Sequence, residues 1–205
     1  QENEKSEIVS IMTEECQRLM RLINNLLLSV KVEQAEFPSL QKFGTVSIAE
    51  IINHTSRFME PELKSKNIQL IVDMPTQPAL IEGNLDLLQQ VFQNLVSNSI
   101  KFCSKDPRIE VVAREEEHQI VIYFSDNGVG IEPDALPNVF QKFYRARSQA
   151  SHRPGLGIGL FLVHKLIELH RGSISVTSEV GKGTMFVIRI PKSTIPTPVS
   201  YASTS

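Results

Sequence analysis

The stretch QVFQNLVSNSIKF, residues 90–102, combines the apolar content of a buried helix with a polar stripe. Asn94, Asn98 and Lys101 lie on one helical face, because steps of four and seven residues nearly complete whole turns. A buried asparagine is often only a satisfied polar residue of the core. The stripe alone therefore leaves a structural and a functional interpretation open.

The composition predicts a compact folded chain that recognises its ligands locally. The 205 residues are 41% hydrophobic, which leaves room for a core in one or two domains. A formal net charge of -2 provides no long-range field that would attract nucleic acid or an anionic membrane. We therefore expect no nucleic-acid partner.

Cysteine use and hydropathy indicate the cellular compartment. Cys16 and Cys103 lie far apart in different predicted elements, which suggests neither a metal cluster nor a disulfide framework and favours a reducing cytosol. No run reaches the roughly 18 apolar residues of a membrane span, and the opening QENEKSE is not a signal peptide. We expect a cytoplasmic piece without direct membrane insertion, excised from a soluble or a membrane-anchored protein.

The N-terminal segment predicts one long helix. From Ser6 to Gln34 the chain has no Gly or Pro, and its apolar residues recur at intervals of seven. One series comprises Val9, Cys16, Ile23 and Val30, and the other comprises Met12, Leu19 and Leu26. Such a seam buries its apolar side against other helices, whereas the alternative is an amphipathic helix lying on its own domain.

The remaining chain divides into a connector, a domain and a tail. Pro38 and Gly44 mark a connector over 37–46, and the Pro-, Ser- and Thr-rich residues 193–205 are typical of a disordered tail. The domain, 47–192, begins with Ser47 as a helix cap, and Glu50 three residues later completes a capping-box pattern. The first 36 residues form a separate helical unit.

Strands and helices mix within 47–192, which predicts an α+β fold. Strands are expected at IQLIVDM (68–74) and ALIEG (79–83), and hairpins at RIEVVARE with HQIVIYFSD (108–126) and at GSISVTS with GTMFVIRI (172–190). Helices are expected from Gly83 or Asn84 and over GLGIGLFLVHKLIELH (155–170), where a C-terminal His170 would complement the helix dipole. Residues 131–155 lack periodicity and are therefore functional or mobile.

A second motif, SDNGVGI at 125–131, ends an apolar strand with an acid and two glycines. In one interpretation Asp126 only caps an Asp-Asn-Gly turn. In the other, Asp126 accepts a hydrogen bond from an exocyclic amine such as that of adenine, while Gly128 and Gly130 let the backbone approach a flat ring.

A third motif, PGLGIGL at 154–160, places Gly155, Gly157 and Gly159 at the start of a predicted helix. Glycines free the backbone to wrap an anion, and a helix N-terminus offers unpaired N–H groups to phosphate. The spacing is neither the dinucleotide fingerprint nor a Walker loop. Taken alone, a Gly-rich turn is weak evidence.

The order of these motifs along the chain is specific. The chain resembles the catalytic, ATP-binding portion of sensor histidine kinases, in the superfamily that includes DNA gyrase, Hsp90 and MutL. QNLVSNSIKF corresponds to the N box of that family, DNGVG to the G1 box, FQKFYRA (140–146) to the F box and GLGIGL to the G2 box. The resemblance covers about residues 47–191, and RLMRLINNLLLSVKVE (18–33) is similar to the second helix of the dimerisation and phosphotransfer hairpin.

The resemblance implies a fold and a set of ligand contacts. The fold is a two-layer α/β sandwich of the Bergerat type, with a mixed sheet backed by about three helices. Asn98 would ligate Mg²⁺ through its amide oxygen, Asn94 would support the metal or the phosphates, and Lys101 would offer its ammonium to them. Asp126 would accept the adenine amine, with Gly128 and Gly130 beside the ring.

The same resemblance implies a phosphate cradle and a lid. Gly155, Gly157 and Gly159, with Leu156 between them, would form the cradle. In the lid Phe140 and Phe143 would fill apolar surface, with plain core packing as the alternative, and Arg145 would contact phosphate. Arg147, His152 and Arg153 would either approach the nucleotide or face solvent, as charges in a lid usually do. Ser99 stands where the family usually has Ala, and we expect the change to be tolerated.

The family's phosphoacceptor histidine has no counterpart in this sequence. We therefore expect the chain to bind ATP and Mg²⁺ but not to phosphorylate itself. The full protein would be a homodimeric protein-histidine kinase that passes the phosphoryl group through a histidine to a response regulator. Two alternatives remain: an ATPase, which the Asn at position 94 disfavours because that branch has Glu there, and a degenerate interaction module.

Overall fold

A computed structural model describes residues 2–34, 43–77, 79–103, 106–146 and 155–193. Most of the predicted connector and the predicted tail beyond Ser193 lie outside these ranges. In chain order the elements are α1 (Glu2–Glu33), β1 (Gly44–Ser47), α2 (Ile48–Ser65), β2 (Gln69–Asp73), β3 (Leu80–Gly83), α3 (Leu85–Phe102), β4 (Arg108–Glu115), β5 (Gln119–Asp126), a short 3₁₀ helix (Leu136–Asn138), α4 (Gly159–Leu169), β6 (Ser173–Glu179) and β7 (Gly183–Pro191).

Five strands form a mixed sheet in the order β2-β4-β5-β7-β6. Both predicted hairpins are confirmed, because β4 pairs with β5 and β6 pairs with β7 in antiparallel register. β2 and β4 are parallel, and the connection between them contains β3 and α3, as a parallel pair requires a crossover. A separate antiparallel pair, β1 with β3, lies beside this sheet.

The core lies between the sheet and helices α2, α3 and α4, which confirms the two-layer α+β fold. Along β4 the buried residues alternate with half-exposed or exposed ones, as in a strand with one covered face. The helices contribute fully buried side chains such as Leu88, Leu95 and Leu162, and the sheet contributes Phe124 and Ile122. These residues belong to one continuous hydrophobic cluster.

His170 joins the end of α4 to the start of α3. Its Nε2 lies 3.0 Å from the backbone N–H of Asn84, which can only donate, so Nε2 is the acceptor. Nδ1 therefore carries the proton and donates to the Leu166 carbonyl at 2.6 Å. Burial lowers the pKa of His170. His170 therefore complements the C-terminal end of α4 as a neutral ring, through the hydrogen bond that it donates to the Leu166 carbonyl.

The start of α2 differs from the prediction. Ser47 is the N-cap residue, but its side chain makes no capping hydrogen bond, so no capping box forms. Ser47 instead belongs to β1, opposite Leu80, and the N–H of Ile48 donates to the Ala79 carbonyl at 3.0 Å. The residues around the strand pairing thus satisfy the first N–H group of the helix. Strand β1 itself was not predicted and includes residues 44–46 of the expected connector.

The first helix presents its predicted seam to solvent. Leu28 and Val32 pack against the core cluster, and Ser29 is fully buried. The heptad residues with exposed side chains are Val9, Met12, Cys16, Leu19, Ile23, Leu26 and Val30. None of the helices in the described ranges combines the length and the apolar character that a membrane crossing requires.

Candidate functional site

A cavity of about 690 Å³ opens beside α3, between the end of β5 and the residues that precede and begin α4. This volume falls in the range of small-molecule sites. Most of the residues predicted from the sequence line it: Asn94, Asn98, Lys101, Asp126, Gly130, Arg145, Gly155, Leu156, Gly157 and Gly159. Gly128 and Phe143 do not.

The polar stripe of α3 faces this cavity. Asn94 is buried, Asn98 is half-buried and Lys101 is exposed. The Oδ1 atom of Asn94 accepts a hydrogen bond of 3.4 Å from Asn25 Nδ2 on α1. Its Nδ2 atom is buried and has no hydrogen-bond partner within the described residues. A buried amide with an unused donor is costly unless a ligand completes it, which favours the functional interpretation of the stripe.

The carboxylate of Asp126 is fixed by hydrogen-bond donors from three segments. Oδ1 accepts from the N–H of Gly128 at 2.9 Å, and Oδ2 accepts from the hydroxyl of Ser99 at 2.8 Å. The backbone N–H of Thr184 also donates to it. Burial raises the pKa of Asp126, and these three hydrogen bonds oppose that effect. The side chain still reaches the cavity, where it presents an acceptor.

The two glycines after Asp126 have different positions. A Cβ on Gly128 would lie 2.5 Å from the Phe102 carbonyl oxygen, so this glycine lets the loop pack against the end of α3, behind the cavity. Gly130 lines the cavity, has φ of +75°, and leaves no space for a Cβ next to the Glu179 carbonyl. Of the pair, Gly130 alone is placed to approach a bound ring.

Of the three glycines of this motif, Gly155 and Gly157 lie in a loop and Gly159 is the first residue of α4. The helix begins at Gly159 rather than at Gly155, because Gly157 has φ of +69°. Gly157 also accepts a hydrogen bond of 2.9 Å from the N–H of Phe143, and a Cβ on it would lie 2.6 Å from the Tyr144 carbonyl. The loop is thus attached to the residues that precede it in the predicted lid.

The aromatic segment of the predicted lid packs unequally. Phe140 is half-buried and contacts the rings of His164 and Phe186, at centroid distances of 5.3 and 6.4 Å. Phe143 is 59% exposed and does not line the cavity. Arg145 is exposed and lines the cavity mouth. The candidate contacts Arg147, His152 and Arg153 lie outside the described residues.

Several wall residues were missed in the sequence. The apolar lining includes Phe102, Val129, Ile131 and Phe186, and Leu22, Asn24 and Asn25 of α1 border the same space. Thr184, which also lines it, follows Gly181-Lys182-Gly183, a Gly-x-Gly repeat that resembles the spacing in the two recognised loops. A Cβ on Gly183 would lie 1.9 Å from the Asp126 carbonyl oxygen, so this repeat marked a close backbone contact.

The oxygen atoms of the cavity suit a hard cation that takes most of its coordination from a bound anion and water rather than from the protein. No group of three or more His, Cys, Asp or Glu that could hold a metal ion occurs in the part of the chain that the structure describes. The half-buried amide of Asn98 supplies one hard oxygen, the type that Mg²⁺ prefers. A metal here would need further oxygens from a bound anion and water.

Comparisons with known proteins agree with this geometry. Residues 83–194 match the family described as histidine kinase-, DNA gyrase B- and HSP90-like ATPases. Sensor protein SrrB of Staphylococcus aureus (strain NCTC 8325 / PS 47) is 31% identical over 191 residues, which are 93% of this chain and 32% of SrrB. The chain therefore spans about a third of the length of the curated relatives that it matches.

Two solved structures share the fold. Full-length ShkA in complex with AMPPNP superposes with a TM-score of 0.77 at 23% identity, over 96% of this chain and 40% of ShkA. Histidine kinase ThkA in complex with the response regulator protein TrrA gives a TM-score of 0.66 at 21% identity, over 89% of this chain and 50% of ThkA.

Proposed function

The chain belongs to the family of histidine kinase-, DNA gyrase B- and HSP90-like ATPases, and on that premise we propose that it is the ATP-binding catalytic part of a protein-histidine kinase. The observation that carries this proposal is that Asn98 and Asp126, on a helix and a strand end, line one cavity. An adenine-binding acceptor and a metal-binding amide have to share one space if ATP is to join them. ATP is accordingly the proposed cofactor, and Mg²⁺ its counter-ion.

The base would bind at the Asp126 end of the cavity. The carboxylate accepts the exocyclic amine, while Val129, Ile131 and Phe186 offer apolar surface to the ring faces. Gly130 lines the cavity beside these residues, and its missing side chain lets the loop pack against the Glu179 backbone.

The phosphates would bind between α3 and the start of α4. The buried donor of Asn94 and the ammonium of Lys101 are the cationic or N–H partners on α3, and the first N–H groups of α4 face the same space. Arg145 at the mouth adds a guanidinium. Asn98 holds Mg²⁺, which when bound neutralises charge on the phosphate oxygens.

Phosphoryl transfer to a histidine needs positioning more than covalent help from this domain. In the proposed reaction the chain fixes the γ-phosphoryl group, and a histidine that is not part of this fragment attacks it in line. Because ThkA is seen in complex with a response regulator, we propose that such a receiver domain is the next acceptor. The exposed seam of α1 supports a homodimer of the full protein, because an apolar heptad surface needs a partner helix.

A binding experiment tests this function. We expect saturable Mg-ATP binding by calorimetry for the wild type, and a loss of at least about tenfold for Asp126→Asn, because the amide presents a donor toward the amine. Incubated with γ-labelled ATP, the chain alone should retain no label and release phosphate slowly. Undetectable binding by a folded wild type would favour an interaction module, and rapid phosphate release would favour an ATPase.

A further inference from the structure

Ser99 donates a hydrogen bond to the carboxylate of Asp126, the proposed base-recognising group, without lining the cavity itself. It is buried on α3 with 3% of its surface exposed, and it does not line the cavity, although the adjacent Asn98 does. Its hydroxyl donates to Asp126 Oδ2 at 2.8 Å, joining residues that are 27 positions apart. Ser99 thus cannot touch a ligand directly, and any effect on binding has to act through Asp126.

The hydrogen bonds of Asp126 leave limited acceptor capacity. An ionised carboxylate has about four lone-pair sites. The N–H of Gly128, the hydroxyl of Ser99 and the N–H of Thr184 occupy three of them. Asp126 lines the cavity, so the remaining acceptor capacity of the ionised carboxylate is open to a ligand there, from which it can accept a hydrogen bond but to which it cannot donate one.

This arrangement bears on which purine fits. An amine at ring position 6 donates into the free acceptor site, whereas a carbonyl oxygen at the same position meets a second acceptor. We propose that Ser99 is a positioning residue that holds Asp126 as a pure acceptor, so that the site selects 6-amino over 6-oxo purine nucleotides. This inference rests on the proposed nucleotide-binding function.

The charge state of Asp126 supports the same conclusion. Burial raises the pKa of the carboxyl, and the hydrogen bond from Ser99 is among the three that oppose it. Without the hydroxyl, Oδ2 loses the hydrogen bond from Ser99, so the carboxyl is freer to rotate and more easily protonated. A protonated or rotated carboxyl can donate to a 6-oxo group, which would reduce the selectivity.

The test compares ATP with inosine triphosphate, which carries an oxygen in place of the 6-amine. We expect the wild type to bind ATP more tightly, Ser99→Ala to reduce the ATP-to-inosine triphosphate affinity ratio roughly tenfold, and Ser99→Thr to restore the ratio because it keeps the hydroxyl. Thr55→Val is the matched control, since it removes a buried hydroxyl on α2 that has no hydrogen-bond partner within the described residues. That control should keep the wild-type ratio.

The outcomes separate this inference from the proposed function. A wild type that binds neither nucleotide overturns both. A wild type that prefers ATP, together with an unchanged ratio in Ser99→Ala, overturns only the role of Ser99. An equal loss of selectivity in Ser99→Thr and Ser99→Ala overturns it as well, because the hydroxyl would then not be the cause.

Discussion

At the scale of single residues, His170 makes the stability of the domain depend on pH. Its neutral ring accepts from Asn84 and its pKa is lowered by burial. The unfolded state takes up a proton below the ordinary imidazole pKa of about 6.5, and the folded state does not. The stability is therefore fully present above that pH and is lost as the pH falls below it, by up to about 1.4 kcal/mol per unit.

The variant His170→Gln tests this linkage, because its side-chain oxygen can still accept from Asn84 but does not titrate. We expect its unfolding free energy, measured with urea between pH 7.5 and 5, to fall less steeply than that of the wild type. Asp126, with its raised pKa, contributes in the opposite sense in both proteins, so the difference isolates the histidine. Parallel curves for the two proteins would contradict the assignment.

Individual site residues were predictable where a local pattern carried them. The spacing of Asn94, Asn98 and Lys101 and the Asp-x-Gly-x-Gly motif are visible in the sequence. The contact between Ser99 and Asp126 is not, because it depends on how α3 packs against the end of β5. Similarly, Gly128 and Gly130 look equivalent in the motif, but Gly128 packs against the Phe102 carbonyl and Gly130 against the Glu179 carbonyl.

At the scale of elements, α1 competes for the polar stripe of α3. Asn25 donates to the amide oxygen of Asn94 and accepts from Gln90 Nε2 at 3.2 Å. Near the end of the helix, Glu33 lies 2.5 Å from Lys142 of the predicted lid. The helix therefore contacts both the polar stripe of α3 and the predicted lid.

Replacing Asn25 by Ala should free the Oδ1 atom of Asn94, which would then be available to support a Mg²⁺ ion beside Asn98. We expect Mg-ATP affinity to increase roughly two- to fivefold in calorimetry, since one neutral hydrogen bond contributes about 0.5–1.5 kcal/mol. The control Asn53→Ala removes an exposed amide on α2 that does not line the cavity and should change nothing. Weaker binding by Asn25→Ala would indicate that Asn25 assists the ligand instead.

Elements with strong periodicity were predicted, and those that depend on pairing were not. The strands of the two hairpins are seven to nine residues long and rich in apolar and β-branched residues, and a short turn joins each pair, so both hairpins were visible in the sequence. The four residues of β1 carry too little pattern, and they form a strand because Val46 lies opposite Ile81, both buried. That pairing also replaced the predicted capping box of Ser47.

At the scale of the whole molecule, the exposed seam of α1 is the largest departure from a self-contained domain. Leu19 and Leu26 are 56% and 40% exposed and lie outside the cavity lining. We expect the double variant Leu19→Glu, Leu26→Glu to weaken dimerisation of the full protein in sedimentation equilibrium, because like charges would meet at the seam. Mg-ATP affinity of the present chain should not change, and an unaltered dimer would argue against this surface.

The β1–β3 ribbon gives the chain that enters the domain a mechanical connection to the nucleotide cavity. The first residue of β1, Gly44, pairs with Gly83, which immediately precedes Asn84, the N-cap of α3. The ring of Phe43, one residue earlier, stacks on the ring of His170. A pulling force on the chain before Phe43 would consequently act at the N-terminal end of α3, the helix that carries the polar stripe. Separation of β1 from β3 would loosen the start of α3 before it disturbed the five-stranded sheet.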